Sequence, residues 1–140
     1  VSNIICSLGL VKNKAKNIKK CANQILNDFD GIVPNTLEEL LTLAGVGRKS
    51  ANVILLEVFG IANGIAVDTH CKRISNRIGL SRQSDPSKIE QDLLKQIDKK
   101  YLKDVNHLFI WHGRYTCTAR NPKCEECAIK KFCEFYNTNA

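Results

Sequence analysis

The sequence predicts an all-α fold, because every periodic apolar segment has the helical period and none alternates like a strand over a useful length. Signals that begin and end helices stand between these segments. Thr36 and Glu39 form a capping-box pattern, Pro86 follows Asp85 as a first helical residue, and Gly60 can end a helix. With 140 residues, the chain has the length of one ordinary domain or two small ones.

The apolar periodicity places helices along the whole chain. The predicted helices cover residues 14–29, 37–43, 48–59, 69–80, 86–97 and 105–115. The connection at 60–66 is the predicted boundary between two helical lobes, residues 1–64 and 65–140. Arg73 and Arg77 are four residues apart, and we expect both on the outer side of the fourth helix.

The charge of the chain indicates a polyanionic partner, because its formal net charge is +7. No apolar stretch is long enough to span a membrane, and no signal-peptide pattern is visible, so we expect no membrane association. The chain begins at Val1 and contains no methionine, which predicts a partial sequence that lacks upstream residues.

A glycine turn with the sequence LAGVGRKSAN, at residues 43–52, joins the second and third predicted helices. Gly45 and Gly47 permit a tight turn and close approach of another backbone. The first amide groups of the following helix lack intrahelical partners and carry partial positive charge, which suits a phosphate group. Arg48 and Lys49 add full positive charges at the same place. The alternative interpretation is an ordinary turn between two helices, where glycine is common.

Four of the seven cysteines form a C-x6-C-x2-C-x5-C tail. Four thiolates at such short spacings can hold either zinc or a [4Fe–4S] cluster. The compact spacing, with a single C-x2-C pair, favours the iron–sulfur cluster, and an odd cysteine total argues against a secreted disulfide framework. The predicted ligands are Cys117, Cys124, Cys127 and Cys133.

The loop between the first two predicted ligands is basic. Clamped at both ends, it would hold Arg120 and Lys123 outward in a fixed pose that suits phosphate contact. The cluster would then have a structural role. The other cysteines, Cys6, Cys21 and Cys71, are expected to be small buried apolar residues.

Taken together, the glycine turn at 43–52, the segment VDTH at 67–70, the segment HGRYTC at 112–117 and the cysteine tail resemble the endonuclease III family. These proteins are bifunctional DNA glycosylases and AP lyases of the helix-hairpin-helix superfamily. The resemblance implies a helical barrel-type lobe and a second helical lobe that carries a [4Fe–4S] cluster loop. Family members have a substantial segment before the position of Val1. Ala44 stands where the family often has proline.

The resemblance also implies roles for individual residues. Lys49 would be the nucleophile, Asp68 the catalytic carboxylate, and Leu10 the wedge that enters the duplex where a base is flipped out. Residues 45–47 would offer backbone amides to a phosphate. Asp68 by itself also fits a helix cap. The three histidines, at 70, 107 and 112, are expected to be structural.

The function implied by the resemblance is base excision repair. The substrate would be double-stranded DNA with oxidised pyrimidines or abasic sites, and the enzyme would be a monomer in the bacterial cytoplasm, or in the nucleus or an organelle of a eukaryote. Two alternatives remain: an adenine-mismatch DNA glycosylase, and a DNA-binding or redox iron–sulfur module without catalysis. Adenine-mismatch relatives generally lack a lysine at position 49, which argues against the first alternative.

Overall fold

A computed structural model describes residues 1–7 and 9–139, and in this part of the chain all regular structure is helical. The all-α prediction is confirmed. The helices are α1 (Val11–Asp28), α2 (Leu37–Thr42), α3 (Arg48–Phe59), α4 (Thr69–Ile78), α5 (Pro86–Gln96), α6 (Leu102–Tyr115) and α7 (Glu134–Asn139), with 3-10 turns at Lys99–Tyr101 and Lys130–Phe132.

The predicted helix boundaries have the expected physical causes. The hydroxyl of Thr36 accepts a hydrogen bond from the Glu39 amide at 3.3 Å and donates one to the Glu39 carboxylate at 2.7 Å, so the two residues of the predicted pattern together cap α2. Asp85 caps α5, and Pro86 stands at its first turn. Gly60 ends α3 in the left-handed conformation, with a φ of 68°.

Two separate hydrophobic cores organise the chain. The first core packs α2 and α3 together around the glycine turn, and α1 covers it from one side. Its buried members are Leu40, Leu43, Ala51 and Leu55. The second core joins the connection after α3 to α4, α5 and α6. Its buried members are Ile65, Val67, Cys71, Ile89, Leu93, Leu102 and Val105. A division into lobes at residue 64 stays a prediction.

Helix α4 is the central element of the second half, since α5, α6 and α7 all pack against it. The cysteine-rich segment lies between α6 and α7, so α4 borders it on one side. No helix among residues 1–7 and 9–139 is long and apolar enough to cross a membrane.

The predicted cysteine burial is confirmed in part. Cys71 is 1% exposed and belongs to the second core, whereas Cys21 is half-buried against the first. Cys6 is exposed, so the prediction for it was wrong. Cys6 precedes α1 in a stretch of turns, outside any helix that could turn its side chain toward a core.

Candidate active site and iron–sulfur segment

The two glycines of the turn serve different purposes. Gly45 has a φ of +82°, and a Cβ there would lie 3.0 Å from the Cβ of Asn17 in α1. The fold itself therefore requires Gly45. Gly47 has an ordinary extended conformation, and a Cβ there would meet nothing within 4 Å. A side chain at position 47 would therefore stand in open space, and no contact among the described residues requires glycine there.

Lys49 and Asp68 line the same open cleft, which has a volume of about 410 Å³. Lys49 lies in the first turn of α3, and its side chain is exposed. Among the residues that the structure describes, no carboxylate lies within ion-pair distance of its amine. Asp68 precedes α4 on the other side of the cleft. The cleft also contains Thr69, His70, Lys72, Pro86 and Arg114.

Asp68 caps α4, as its sequence position allowed. Its Oδ1 accepts a hydrogen bond of 2.7 Å from the amide of Cys71. The carboxylate is therefore anchored at the N-terminus of α4. Burial, followed by the charges of Asp68 and Glu90, raises the pKa of the Cys71 thiol to about 12. Cys71 is therefore a core residue, and because its thiol stays protonated, it does not act as a nucleophile.

Arg48 has a partner that the sequence did not reveal. Its Nε donates to the carboxylate of Glu90 in α5, and that carboxylate is 2% exposed, whereas the Arg48 side chain is 44% exposed. The guanidinium is therefore anchored on the protein. Its predicted contact with a phosphate stays a prediction. The neighbouring Lys49 has no carboxylate partner of this kind in the part of the chain that the structure describes.

The four cysteines of the tail line a common cavity beside α4 and α6. Among residues 1–7 and 9–139, no three His, Cys, Asp or Glu side chains lie close enough to hold a single metal ion. A four-iron cluster is larger than one ion, and each of its irons takes one cysteine, so its ligands stand further apart. Four cysteines around one cavity suit such a cluster better than one zinc ion.

The chemistry of these donors also fits a cluster. Burial raises the pKa of the Cys124 thiol, and the nearby Cys117, Cys133 and Cys127 raise it further. Bringing four thiolates together is therefore unfavourable unless a cation compensates them. Arg77 provides part of the compensation, since its Nη1 donates to the Cys117 Sγ at 3.3 Å. When bound, an iron–sulfur cluster would supply the rest.

Arg73 and Arg77 do not lie on an outer helix face, so that prediction was wrong. Arg73 donates to the carbonyl oxygens of Gly113 at 3.0 Å and Cys117 at 3.1 Å. Arg77 donates to the carbonyl oxygens of Thr118 at 2.7 Å and of the next residue at 3.0 Å. A spacing of four residues puts Arg73 and Arg77 on one face of α4. Helical periodicity could not show that the cysteine segment packs over this face.

Two hydrogen bonds shape the basic loop that follows Cys117, and its fixed pose stays a prediction. The amide of Lys123 donates to the Thr116 carbonyl at 2.9 Å, and the Thr118 hydroxyl donates to the Asn121 carbonyl at 2.7 Å. Arg120 and Lys123 are both exposed on this loop. The loop therefore presents two exposed cations, and their contact with DNA stays a prediction.

Leu10, the predicted wedge, is exposed and strained. It is 78% exposed and has a φ of 59°, a conformation that costs a branched side chain energy. It immediately precedes α1. Near this end of the helix, Ile5 and Lys14 share a groove with Ala44, Gly45 and Val46 of the glycine turn. Leu10 is therefore presented to solvent near the turn.

The histidines have packing or ion-pair environments. His70 Nδ1 lies 3.1 Å from an Arg73 nitrogen, and His107 Nε2 lies 3.4 Å from a Glu57 carboxylate oxygen. His112 Nε2 lies 3.9 Å from the Cys127 Sγ, and burial lowers the pKa of His112. A neutral imidazole beside the cysteine cavity suits a structural role.

Comparison with known families identifies the chain. Residues 1–99 match the family described as HhH-GPD superfamily base excision DNA repair protein. The chain belongs to this superfamily. Residues 117–133 match the iron–sulfur binding domain of endonuclease III, which confirms the predicted iron–sulfur cofactor. That match spans the interval from Cys117 to Cys133, the first and last of the predicted cluster ligands.

Individual relatives are similar to the chain along almost its whole length. Endonuclease III of Synechocystis is 47% identical over 133 residues, which is 95% of this chain and 61% of that protein. Endonuclease III of Rickettsia felis is 46% identical over 96% of this chain and 62% of the relative. A solved structure of a trapped endonuclease III–DNA covalent intermediate superposes with a TM-score of 0.91 and 39% identity, covering 99% of this chain and 65% of that one.

The resemblance to endonuclease III is thus confirmed, together with the helix-hairpin-helix glycosylase fold. The chain spans about three-fifths of the length of the relatives that it matches.

Proposed function

We propose that this member of the endonuclease III family is a base excision repair DNA glycosylase with AP lyase activity. It removes oxidised pyrimidines from double-stranded DNA and cleaves abasic sites by β-elimination. The observation that carries the proposal is the common cleft of Lys49 and Asp68. An amine with no carboxylate partner among the described residues lines this cleft together with an anchored carboxylate.

The glycine turn and the basic loop hold the DNA backbone in this proposal. The extended backbone at Gly47 leads into α3, whose first amides have no intrahelical partner and can bind a phosphate. Arg120 and Lys123 add charge from their fixed loop. A damaged base cannot be reached inside a duplex, so it is flipped out, and Leu10 fills the lost stacking.

Lys49 then carries the covalent chemistry. Its neutral amine attacks C1′ of the deoxyribose, the bond from C1′ to the base breaks, and the base leaves with a proton. The sugar ring opens to a Schiff base between C1′ and the Lys49 nitrogen. Loss of a proton from C2′ expels the 3′ phosphate and breaks the strand. Water finally hydrolyses the Schiff base and releases Lys49.

Asp68 supports these steps from across the cleft. Its carboxylate stabilises the positive charge that develops on the sugar, and it helps to move protons between the amine and the leaving groups. The hydrogen bond from the Cys71 amide holds the Asp68 carboxylate in place, and this contact uses no positively charged side chain. The iron–sulfur segment acts on DNA binding alone, since the cysteines line a different cavity from Lys49 and Asp68.

The neighbour trapped as a covalent intermediate with DNA supports the lyase assignment over an adenine-mismatch glycosylase, as does the lysine at position 49. We further propose that the protein acts as a monomer on the DNA of a bacterial cytoplasm.

The test is cleavage of an end-labelled duplex that contains one abasic site. We expect a single nick on the 3′ side of the abasic site, which leaves an unsaturated aldehyde on the 3′ end of the upstream fragment. The intact matched duplex should not be cleaved. A second duplex with an oxidised pyrimidine should give the same product. Tight binding to the abasic duplex with no cleavage would overturn the proposal and favour a non-catalytic DNA-binding module.

A further inference from the structure

A buried polar network connects the two sides of the proposed active-site cleft. Its centre is the carboxylate of Glu90 in α5, which is 2% exposed. The Glu90 Oε1 accepts hydrogen bonds from Asn52 Nδ2 at 2.8 Å and from the Ile65 amide at 3.1 Å, and its Oε2 accepts from Arg48 Nε. Asn52 also donates to the Ile65 carbonyl at 3.2 Å.

The partners of Glu90 lie next to the residues that carry the proposed chemistry. Arg48 directly precedes Lys49 at the start of α3, and Ile65 stands three residues before Asp68 in a buried extended segment. Glu90 therefore touches both segments, although it lies more than 20 positions away from either in sequence. Arg48, Lys49, Ile65 and Glu90 also line one small cavity beside the cleft.

The centre of this network, Glu90 with Asn52, is buried, and that burial restricts its geometry. Asn52 is 4% exposed, and a buried carboxylate holds its donors tightly because losing one leaves a charge without compensation. The backbone adds to the constraint at Gly64, where a Cβ would meet Asn52 Oδ1 and would lie 2.7 Å from Glu90 Oε1. The connection from α3 to Asp68 is therefore pressed against the network.

We infer that Glu90 and Asn52 are positioning residues for the lyase reaction, which set the start of α3, and with it Lys49, against the segment that carries Asp68. The inference rests on the proposed function. Neither residue lines the cleft that contains Lys49 and Asp68, so neither acts on the DNA directly. Their effect passes through the backbone of Lys49 and of residues 65–68. A displacement of about 1 Å in such geometry can cost a factor on the order of 10² in rate.

Single-turnover cleavage of the abasic duplex at saturating protein separates positioning from stability. Loss of folded protein lowers the active fraction, which is measured by quantitative trapping at saturating DNA, and leaves the rate constant of the folded molecules unchanged. Misplacement of Lys49 lowers the rate constant itself. For Glu90→Gln we expect a rate constant lower by about 10- to 100-fold, with the dissociation constant for the duplex changed by less than about threefold.

The control is Asp92→Asn in the same helix. The Asp92 carboxylate accepts a hydrogen bond from the Ser81 hydroxyl at 2.8 Å, and among the described residues no hydrogen bond or ion pair joins it to α3 or to the segment at 65–68. We expect Asp92→Asn to retain the wild-type rate constant. Asn52→Ala is the second variant, since it keeps the Arg48–Glu90 ion pair and should still lower the rate constant by about tenfold or more.

The outcomes distinguish the inference from the proposed function. If the wild-type protein does not cleave the abasic duplex, the proposed function fails. If the wild type cleaves and folded Glu90→Gln and Asn52→Ala keep its rate constant, losing only active fraction, the positioning inference is overturned and the proposed function stands. An equal loss of rate constant in Asp92→Asn would also overturn it.

Discussion

Lys49→Gln is expected to lower cleavage of the abasic duplex by at least a factor on the order of 10³, because it removes the only amine assigned to the covalent route. Binding should change little, since the phosphate contacts come from backbone amides and from the basic loop. The measurement is single-turnover cleavage, with the dissociation constant determined in parallel at the same ionic strength.

A second lysine in the same cleft provides the matched control. Lys72 lines the cleft, but its Nζ donates to the Ser84 carbonyl at 2.7 Å, whereas Lys49 has no carboxylate partner among the described residues. Lys72→Gln should therefore retain cleavage. If Lys72→Gln abolished cleavage and Lys49→Gln did not, the nucleophile would be Lys72.

Loss of a cluster ligand is the second large effect. Cys124→Ala should remove the visible absorbance of the iron–sulfur cluster and release the loop that holds Arg120 and Lys123. Each lost phosphate contact makes the negative slope of log binding constant against log salt concentration shallower by about one. We therefore expect the slope to become shallower by about two. Neither hydrophobic core contains this cysteine, so the helical body should remain folded.

The control for this variant is Cys6→Ala, since Cys6 is exposed and distant in sequence from the cysteine segment. It should keep both the absorbance and the salt slope. The rate constant of Cys124→Ala at saturating DNA and low salt should stay within about tenfold of wild type, because the cysteines do not line the Lys49 cleft. An unchanged salt slope with the cluster lost would contradict the role of the basic loop.

Local patterns in the sequence predicted most of the helices and their ends. The capping box at Thr36, the proline start of α5 and the glycine end of α3 each depend on residues within one helical turn. The helix bounds differ by a few residues, as where α1 begins at Val11 and α6 at Leu102. Such ends depend on turns that periodicity does not define.

The sequence did not predict the long-range polar contacts. Glu90 directly follows a core isoleucine and looks like an ordinary exposed helix residue, yet its donors come from 25 to 42 positions away. Asn52 gave a weak signal, since it is polar between Ala51 and Val53 in an apolar helix. Arg73 and Arg77 were misplaced for the same reason. Hydrogen bonds between distant segments depend on tertiary packing, which helical periodicity does not describe.

The central claim is that Lys49 forms a Schiff base with DNA, and borohydride trapping tests it most directly. The wild-type protein is incubated with a duplex that contains one abasic site, and borohydride is added to reduce the Schiff base. The protein is then digested, and mass spectrometry locates the adduct. We expect one stable protein–DNA adduct, carried by the peptide that contains Lys49. An adduct on another amine, or bound DNA that never becomes trapped, would contradict it.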